Sequence, residues 1–384
     1  MTNHFTLGMS KATALTRAGK LVEATALLQS LLNGSQPMAD DTIIEGTYTR
    51  LDDVGHPDAP KPAKAPRTGK SASKRASLRE TLRKIGAGGM PEHAASARSR
   101  TPVPDNARFD LLTYVAAEGR RDYKLYVPSV RPATKMPLVV MLHGCTQSPD
   151  DFAIGTGMNA LAEEHGFLVA YPGQPMGANP NKCWNWFKPE DQGRARGEPA
   201  LIAGIVRDII RDHPVDPAHV FVAGLSAGGA AAAIVASAYP EMFKAVGVHS
   251  GLAVGAATDI PQAFSAMRNG AAGASISHPV PTIVIHGLAD STVNPSNGDA
   301  VIAQALGAFG PLKASTRQGL SVGGKAFRQT SYTDPAGTAM CEHWEIADAG
   351  HAWAGGASEG SFTDPHGPSA SAEMVRFFMH HRRK

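Results

Sequence analysis

The stretch Val220-Phe221-Val222-Ala223-Gly224-Leu225-Ser226-Ala227-Gly228-Gly229 decides the fold of this chain. Its first four residues are apolar and predict a buried β-strand, and the alanine-rich residues 227–238 predict a helix directly after it. A serine flanked by glycines between a strand and a helix is the pattern of a nucleophile elbow, a turn too tight for larger side chains. The sequence therefore predicts that Ser226 is a nucleophile lifted clear of a sheet.

Further apolar runs continue this pattern in both directions along the chain. Residues 121–128 alternate like a half-exposed strand, and helical patterns such as residues 200–211 lie between the strands. The other buried-strand candidates are residues 138–142, 167–170, 245–248, 282–285 and 343–347. Strands that alternate with helices predict a mostly parallel central sheet with helices on both faces, as in the α/β-hydrolase fold.

A serine hydroxyl needs a base and an orienting acid to become a nucleophile, and in this fold they follow in the order Ser, Asp or Glu, His. Asp290 lies in the loop after the predicted strand 282–285, and His351 lies in the loop after the last predicted strand. We therefore predict the catalytic triad Ser226, Asp290 and His351.

Other histidines and aspartates compete for these two roles. His366 lies within reach downstream of His351, whereas His343 falls inside a predicted strand where its side chain should be packed. Asp299 falls within a predicted helix, and Asp348 is too near His351 in sequence to orient it easily. These positions favour Asp290 and His351.

The intermediate of acyl transfer needs two backbone N–H donors for its oxyanion. Ala227 at the start of the predicted helix supplies one donor. We expect the second from Cys145, in the loop His143-Gly144-Cys145-Thr146-Gln147 that follows a predicted strand.

Substrate contacts are predicted for four residues near these loops. Trp184 and Trp186 stand in a loop rich in Pro, Gly and Asn, which favours at least one of them lining a cleft over packing in the core. Trp353, two residues after His351, is a further candidate wall, and Gln147 in the oxyanion loop is a further candidate contact.

The composition suits a globular α/β protein with many loops. The chain has 384 residues, of which 42% are hydrophobic and 18% charged, with 40 Gly, 28 Pro and a formal net charge of +3. Its three cysteines lack metal-ligand spacing, so we expect neither a zinc site nor a disulfide framework from their number. We expect no metal and no organic cofactor.

The front of the chain differs from the catalytic domain, which we place at residues 106–384. Residues 1–35 have apolar groups at helical spacing, which fits an amphipathic helix on the main domain, a dimer contact or a segment docking on a polymer granule. Residues 36–105 are basic and rich in Pro, Ala and Ser, which predicts a disordered linker. That linker lacks the aromatic residues of a nucleic-acid binder, so no nucleic-acid partner is expected.

The N-terminus lacks the basic and apolar regions of a signal peptide, and no run of about 18 apolar residues predicts a membrane span. We therefore expect a cytoplasmic protein, with an extracellular location as the alternative.

The motifs together resemble the poly(3-hydroxybutyrate) depolymerase family of esterases, which also includes feruloyl and acetylxylan esterases. The resemblance covers about residues 110–378 and is carried by residues 123–128, 142–147, 183–186, 224–228, 286–297, 350–353 and 360–368. It implies an esterase with Ser226, Asp290 and His351 as its triad, and a possible disulfide between Cys145 and Cys183. Secreted relatives have a signal peptide and often a substrate-binding module, neither of which is evident in this sequence, so an intracellular role on storage polymer or its oligomers is as reasonable.

The sequence thus predicts a serine esterase that acts on polyester or its oligomers through an acyl-enzyme. The alternatives are a short-chain carboxylesterase or feruloyl or acetylxylan-type esterase, and a granule- or surface-binding protein without catalytic activity.

Overall fold

The fold of this chain is known from a computed structural model that describes residues 103–130 and 134–381. The predicted helix in residues 1–35, and the predicted linker up to residue 102, lie outside these described residues.

A sheet of ten strands forms the centre of the described part, in the order β1-β2-β4-β3-β5-β6-β7-β10-β9-β8. The six strands from β4 to β10 in this order run parallel, and antiparallel strands flank them at both edges. The strands are β1 Arg108–Ala116, β2 Gly119–Val127, β3 Met136–Leu142, β4 Leu168–Pro172, β5 Val215–Leu225, β6 Ala245–His249, β7 Thr282–Gly287, β8 Lys313–Leu320, β9 Ala326–Thr333 and β10 Ala339–Ile346. A separate small pair joins β11 Trp353–Ala354 to β12 Thr363–Asp364.

Helices cover both faces of this sheet. The helices of the described part are α1 Pro149–Thr156, α2 Met158–His165, α3 Gly197–Asp212, α4 Ala227–Ala238, α5 Ile260–Asn269, α6 Ser296–Ala308 and α7 Ala370–His380. The buried side chains of α3 to α6 join the core on one face, and those of α1, α2 and α7 join the core on the other face. The predicted parallel α/β sheet with helices on both faces is therefore confirmed.

Strand β3 shows why the central strands have continuous apolar sequences. All seven of its residues are buried, and Leu138 and Val140 belong to one core while Val139 and Met141 belong to the other. Because successive side chains of a strand point to opposite faces, a strand covered on both faces needs apolar residues throughout. The same pattern made these strands recognisable in the sequence.

The sheet order brings three loops to one edge of the molecule. Strands β5, β6, β7 and β10 are consecutive parallel neighbours, so their carboxyl ends lie side by side. Ser226 follows β5, Asp290 lies in the loop after β7, and His351 lies in the loop after β10. In open α/β sheets, ligands bind at this carboxyl edge.

No helix within the described ranges is long and apolar enough to cross a membrane.

Candidate active site

The turn from β5 to α4 holds Ser226 in a strained conformation. Its backbone has φ 58° and ψ −121°, which non-glycine residues rarely adopt. A Cβ atom added at Gly228 would lie 2.1 Å from the carbonyl oxygen of Leu142, and one added at Gly224 would lie 2.3 Å from the carbonyl oxygen of Gly228. Both glycines are therefore required by close packing against β3 and α4, which explains the glycine-serine-glycine pattern.

The Ser226 side chain remains available for reaction. Its residue is 8% exposed, and its backbone N–H donates to the carbonyl oxygen of His249 at 2.9 Å. Among the residues that the structure describes, the Ser226 hydroxyl has no hydrogen-bond partner. In many hydrolases, the hydrogen bond from the nucleophile to its base is long or poorly aligned until substrate binds, and it then shortens.

Asp290 and His351 form a charge-assisted pair beside this turn. Nδ1 of His351 lies 2.7 Å from Oδ2 of Asp290. The other carboxylate oxygen accepts the backbone N–H groups of Thr292 and Val293, each at 2.9 Å. Burial raises the pKa of the Asp290 carboxyl, but hydrogen bonds from His286 and His351 outweigh it and hold that pKa well below its usual range.

The ionised carboxylate fixes the tautomer of His351. An aspartate anion only accepts hydrogen bonds, so Nδ1 of His351 carries the proton that faces Asp290. In the neutral imidazole, Nε2 then has no proton, which is the form that a general base needs. The side chain of His351 is 13% exposed, which leaves it open to substrate.

The competing residues lie in other surroundings. His343 is buried in β10, with its Nδ1 3.9 Å from a carboxylate oxygen of Asp299 in α6. The backbone carbonyl of Asp348 accepts a hydrogen bond from Lys325 at 2.8 Å. The structure thus pairs His351 with Asp290 and not with either competing aspartate.

The loop after β3 lies directly against the Ser226 turn. Leu142 pairs with Gly224 in the sheet, and a Cβ atom added at Gly144 would be 3.6 Å from the carbonyl oxygen of Leu225. In the described part of the chain, neither the Cys145 nor the Ala227 backbone N–H has an acceptor. Two free donors beside the nucleophile suit an oxyanion, and their role in catalysis remains a prediction.

A disulfide joins Cys145 to Cys183 in the loop after β4, as the resemblance implied. The N–H of Thr146 also donates to the carbonyl of Asn181 at 2.7 Å, so two bonds fix the Cys145 loop to its neighbour.

The sequence profile described as Esterase PHB depolymerase matches residues 121–322, which is more than half of the chain. The chain belongs to this family. It is 36% identical to poly(3-hydroxyalkanoate) depolymerase C of Paucimonas lemoignei over 59% of the chain and 57% of that protein. It is also 35% identical to feruloyl esterase B of Neurospora crassa, over 35% of the chain and 47% of that protein.

The chain spans about half the length of the curated relatives that it matches. Among solved structures, acetyl xylan esterase from Aspergillus awamori is similar with a TM-score of 0.55 and 21% identity, over 71% of this chain and 99% of that one. This structural similarity confirms the predicted α/β-hydrolase fold.

The four predicted substrate contacts of this PHB depolymerase family member lie inside the protein instead. Each is at most 4% exposed; they are Gln147, Trp184, Trp186 and Trp353. The indole N–H of Trp184 donates to the carbonyl oxygen of His143 at 3.0 Å, and that of Trp353 donates to Oγ of Ser371 at 3.0 Å. These side chains therefore do not line a cleft, because the loops that carry them pack into the core.

Gln147 supports the Cys145 loop and does not face solvent. Its side-chain oxygen accepts the Gly144 N–H at 2.9 Å. Its side-chain nitrogen donates to a carboxylate oxygen of Asp151 and to the carbonyl oxygen of Ser361, each at 2.9 Å. Because these partners occupy both ends of the amide, Gln147 holds the backbone next to Cys145 in place.

A buried carboxylate that the sequence did not reveal, Glu198, supports the loop after β4. Glu198, at the start of α3, accepts hydrogen bonds from the backbone and side-chain nitrogens of Asn185, both at 2.8 Å, and from the side chain of Gln174. The Gln174 N–H donates in turn to Nε2 of His143 at 3.1 Å. Burial, followed by the nearby Asp191 charge, raises the pKa of Glu198 to about 7. Nothing in the sequence marks this glutamate, because its partners come from distant loops.

Proposed function

We propose that this chain is a serine esterase that hydrolyses carboxylic esters through an acyl-enzyme, with poly(3-hydroxybutyrate) or a related polyester or oligomer as its substrate. The 2.7 Å bond between His351 and Asp290, beside the strained Ser226 turn, is the observation that carries this proposal. Family membership supports the same chemistry.

The proposed reaction proceeds in two halves. The Ser226 hydroxyl attacks the ester carbonyl while Nε2 of His351 takes its proton, and Asp290 stabilises the imidazolium. The N–H groups of Cys145 and Ala227 bind the oxyanion of the tetrahedral intermediate. His351 then gives its proton to the leaving alcohol, which leaves an acyl group on Ser226.

A water molecule then releases the acyl group from Ser226 with the help of the same catalytic groups. His351 takes a proton from a water molecule, which attacks the acyl carbonyl, and the second tetrahedral intermediate collapses to release the carboxylic acid. The proton on His351 returns to Ser226. Every group in this scheme belongs to the chain itself, so the scheme needs no metal or organic cofactor.

The names of the relatives support a polyester as the substrate and leave two alternative functions. Two relatives are named as polyhydroxyalkanoate depolymerases, from Paucimonas lemoignei and Ralstonia pickettii. Others are named as feruloyl or acetylxylan esterases, which supports a feruloyl or acetylxylan-type esterase or a short-chain carboxylesterase as the alternative. A granule- or surface-binding protein without activity is the alternative from another class, and the intact Asp290–His351 pair argues against it.

Two substrates separate these functions. We expect the wild-type enzyme to hydrolyse p-nitrophenyl butyrate and to release acid from amorphous poly(3-hydroxybutyrate), and the Ser226→Ala variant to do neither. Turnover of the small ester alone would rule out the depolymerase, and the absence of any turnover that depends on Ser226 would rule out the enzyme.

We also propose that the N-terminal segment, residues 1–35, associates with the surface of polymer granules. The support is the helical spacing of apolar residues in this segment. A fluorescent fusion of residues 1–105 is expected to concentrate on storage granules in cells that contain them. A diffuse signal in cells with and without granules would exclude this role.

We propose the cytoplasm as the compartment of this protein, where its N-terminal segment can meet storage granules, with the extracellular space as the alternative. The Cys145–Cys183 disulfide supports the alternative, because structural disulfides persist in oxidising compartments. Separation of a culture into cells and medium, with detection of the protein in each, is expected to find it in the cells. Protein found only in the medium would contradict the cytoplasmic location.

A further inference from the structure

The imidazole of His249 lies between the Ser226 turn and the His351 loop, and the proposed mechanism does not use it. His249 is the last residue of β6, the strand between β5 and β7, and it is buried. Its backbone carbonyl accepts the Ser226 N–H at 2.9 Å, and its Nε2 accepts the Ala354 N–H at 3.0 Å. One residue therefore joins the nucleophile turn to the segment that follows His351.

The hydrogen bonds of His249 define its protonation. Because Nε2 accepts a backbone N–H, the ring proton resides on Nδ1, which lies 3.2 Å from Oγ of Ser250. Burial, followed by the neighbouring His286 and His351, lowers the pKa of His249 to about 3, and Asp290 opposes this shift. A ring that stays neutral and accepts a main-chain N–H acts as a fixed hydrogen-bond acceptor and does not transfer protons.

Trp353 fixes the same segment from the other side. Its ring stacks on the His249 ring, with centroids 5.0 Å apart and an angle of 25° between the planes. The Trp353 N–H donates to the carbonyl oxygen of Phe362 at 2.7 Å, and its indole N–H donates to Ser371. Residues 351–354 are thus held between β6 and α7. The hydrogen bond from the Ala354 N–H to Nε2 of His249 links them to β6, and the backbone carbonyl of the same His249 accepts the Ser226 N–H.

We propose that His249 is a positioning residue that sets the distance between Ser226 and the imidazole of His351 through its hydrogen bonds to Ser226 and Ala354. This proposal rests on the proposed esterase function. Misplacement of a catalytic group by about 1 Å can lower the rate about 100-fold. The hydrogen bonds that His249 accepts from Ser226 and from Ala354 therefore affect catalysis although His249 does not contact substrate.

Two amide substitutions of His249 form a matched pair. The amide of His249→Gln reaches the position of Nε2 and can accept the Ala354 N–H, whereas the shorter amide of His249→Asn reaches only the position of Nδ1. We expect His249→Gln to keep kcat for p-nitrophenyl butyrate within about five-fold of wild type. We expect His249→Asn to lower kcat by about 10- to 100-fold, with KM within about two-fold.

The NMR signal of the His351 Nδ1–H proton, which faces Asp290, measures the positioning without any turnover. We expect its chemical shift to move in His249→Asn and to stay in place in His249→Gln, because displacement changes the length of the hydrogen bond to Asp290. If wild type shows no Ser226-dependent hydrolysis, the esterase function fails while this spectrum still tests the positioning.

The variant Tyr239→Phe is the control for a structural role, because it removes the hydroxyl that accepts the Ala195 N–H at 3.0 Å without touching His249. We expect it to lower stability and to leave kcat and the His351 Nδ1–H signal unchanged. A folded His249→Asn variant with wild-type kcat and Nδ1–H signal would overturn the proposal, as would an equal loss in Tyr239→Phe. Should His249→Asn fail to fold, a folded His249→Gln variant with kcat reduced more than about 50-fold would overturn it.

Discussion

Several groups of the protein interior together stabilise the negative charge of Asp290. Two backbone N–H groups meet one of its oxygens, and the other lies 2.7 Å from His351 and 3.4 Å from Nε2 of His286. The His286 Nε2 also lies 2.9 Å from the carbonyl oxygen of Val293, which only accepts, so this nitrogen carries a proton. The loop therefore stabilises the charged carboxylate before any substrate arrives.

Replacement of Asp290 by asparagine tests this arrangement. We expect Asp290→Asn to lower kcat by about 10³–10⁴-fold with little change in KM, because an amide can donate to Nδ1 and favour the wrong tautomer of His351. Steady-state kinetics with p-nitrophenyl butyrate measures the effect, and Asp299→Asn on α6 is the control that should retain activity. A loss of less than ten-fold in Asp290→Asn would argue for another acid.

Glu198 should make stability depend on pH near neutrality. Its pKa in the folded protein is about 7, above its ordinary value of 4.5, so the folded state binds the proton more tightly than the unfolded chain. The stability from this group is complete below pH 4.5 and is lost as the pH rises through about 7. We expect wild type to lose about 3 kcal/mol of unfolding free energy relative to Glu198→Gln between pH 4.5 and 8.

Urea unfolding at several pH values measures this difference directly. The matched control is Glu190→Gln, a change at an exposed residue of the short turn before α3, which should follow the wild-type pH dependence. A difference between wild type and Glu198→Gln that stays constant with pH would show that the carboxyl is not protonated near neutrality.

At the scale of elements, the loops after β3 and β4 act as one unit. The disulfide, the bond from Thr146 to Asn181, and the bond from Gln174 to His143 connect them. Cys145 supplies both a sulfur for the disulfide and a free N–H beside Ser226. The covalent link therefore bears on the predicted oxyanion site as well as on stability.

Removal of the disulfide is expected to affect both properties. We expect Cys183→Ala to lower the unfolding free energy by about 2–4 kcal/mol, because the bond closes a loop with a sequence separation of 38. We also expect kcat to fall by up to about 10²-fold, the cost of losing one oxyanion donor. Urea unfolding and ester kinetics, with and without a phosphine reductant, measure these effects.

Cys341 provides the control, since it is a free cysteine buried in the core. The Cys341→Ala variant should keep its disulfide and the wild-type response to reductant. An oxidised wild type and a Cys183→Ala variant with equal kcat would show that the remaining hydrogen bonds hold the Cys145 loop by themselves.

The sequence predicted those features that depend on local patterns and chain order. The buried strands, the Ser226 turn and the order of Asp290 and His351 follow from runs of a few residues each. The burial of Trp184 did not follow, because it depends on a loop folding over the carbonyl of His143. The contact from His249 to Ala354 spans 105 residues, so no local pattern reports it.

At the scale of the whole molecule, the groups of the candidate site and their supports all lie between residues 121 and 371. We therefore expect a chain that begins at residue 103 to hydrolyse p-nitrophenyl butyrate with a kcat within about two-fold of the full chain. The same measurement on a short chain with Ser226→Ala is the control. A loss greater than ten-fold would show that residues 1–102 take part in forming the site.

The position of β10 determines when the site can exist during synthesis. This strand lies between β7 and β9, and His351 follows it, 61 residues after Asp290. A ribosome delivers the Ser226 turn well before β10, so the emerging polypeptide has a nucleophile but no base. A parallel strand that must pair with a distant neighbour also forms late. Newly made molecules therefore gain the predicted triad only when β10, the last strand of the large sheet along the chain, joins β7.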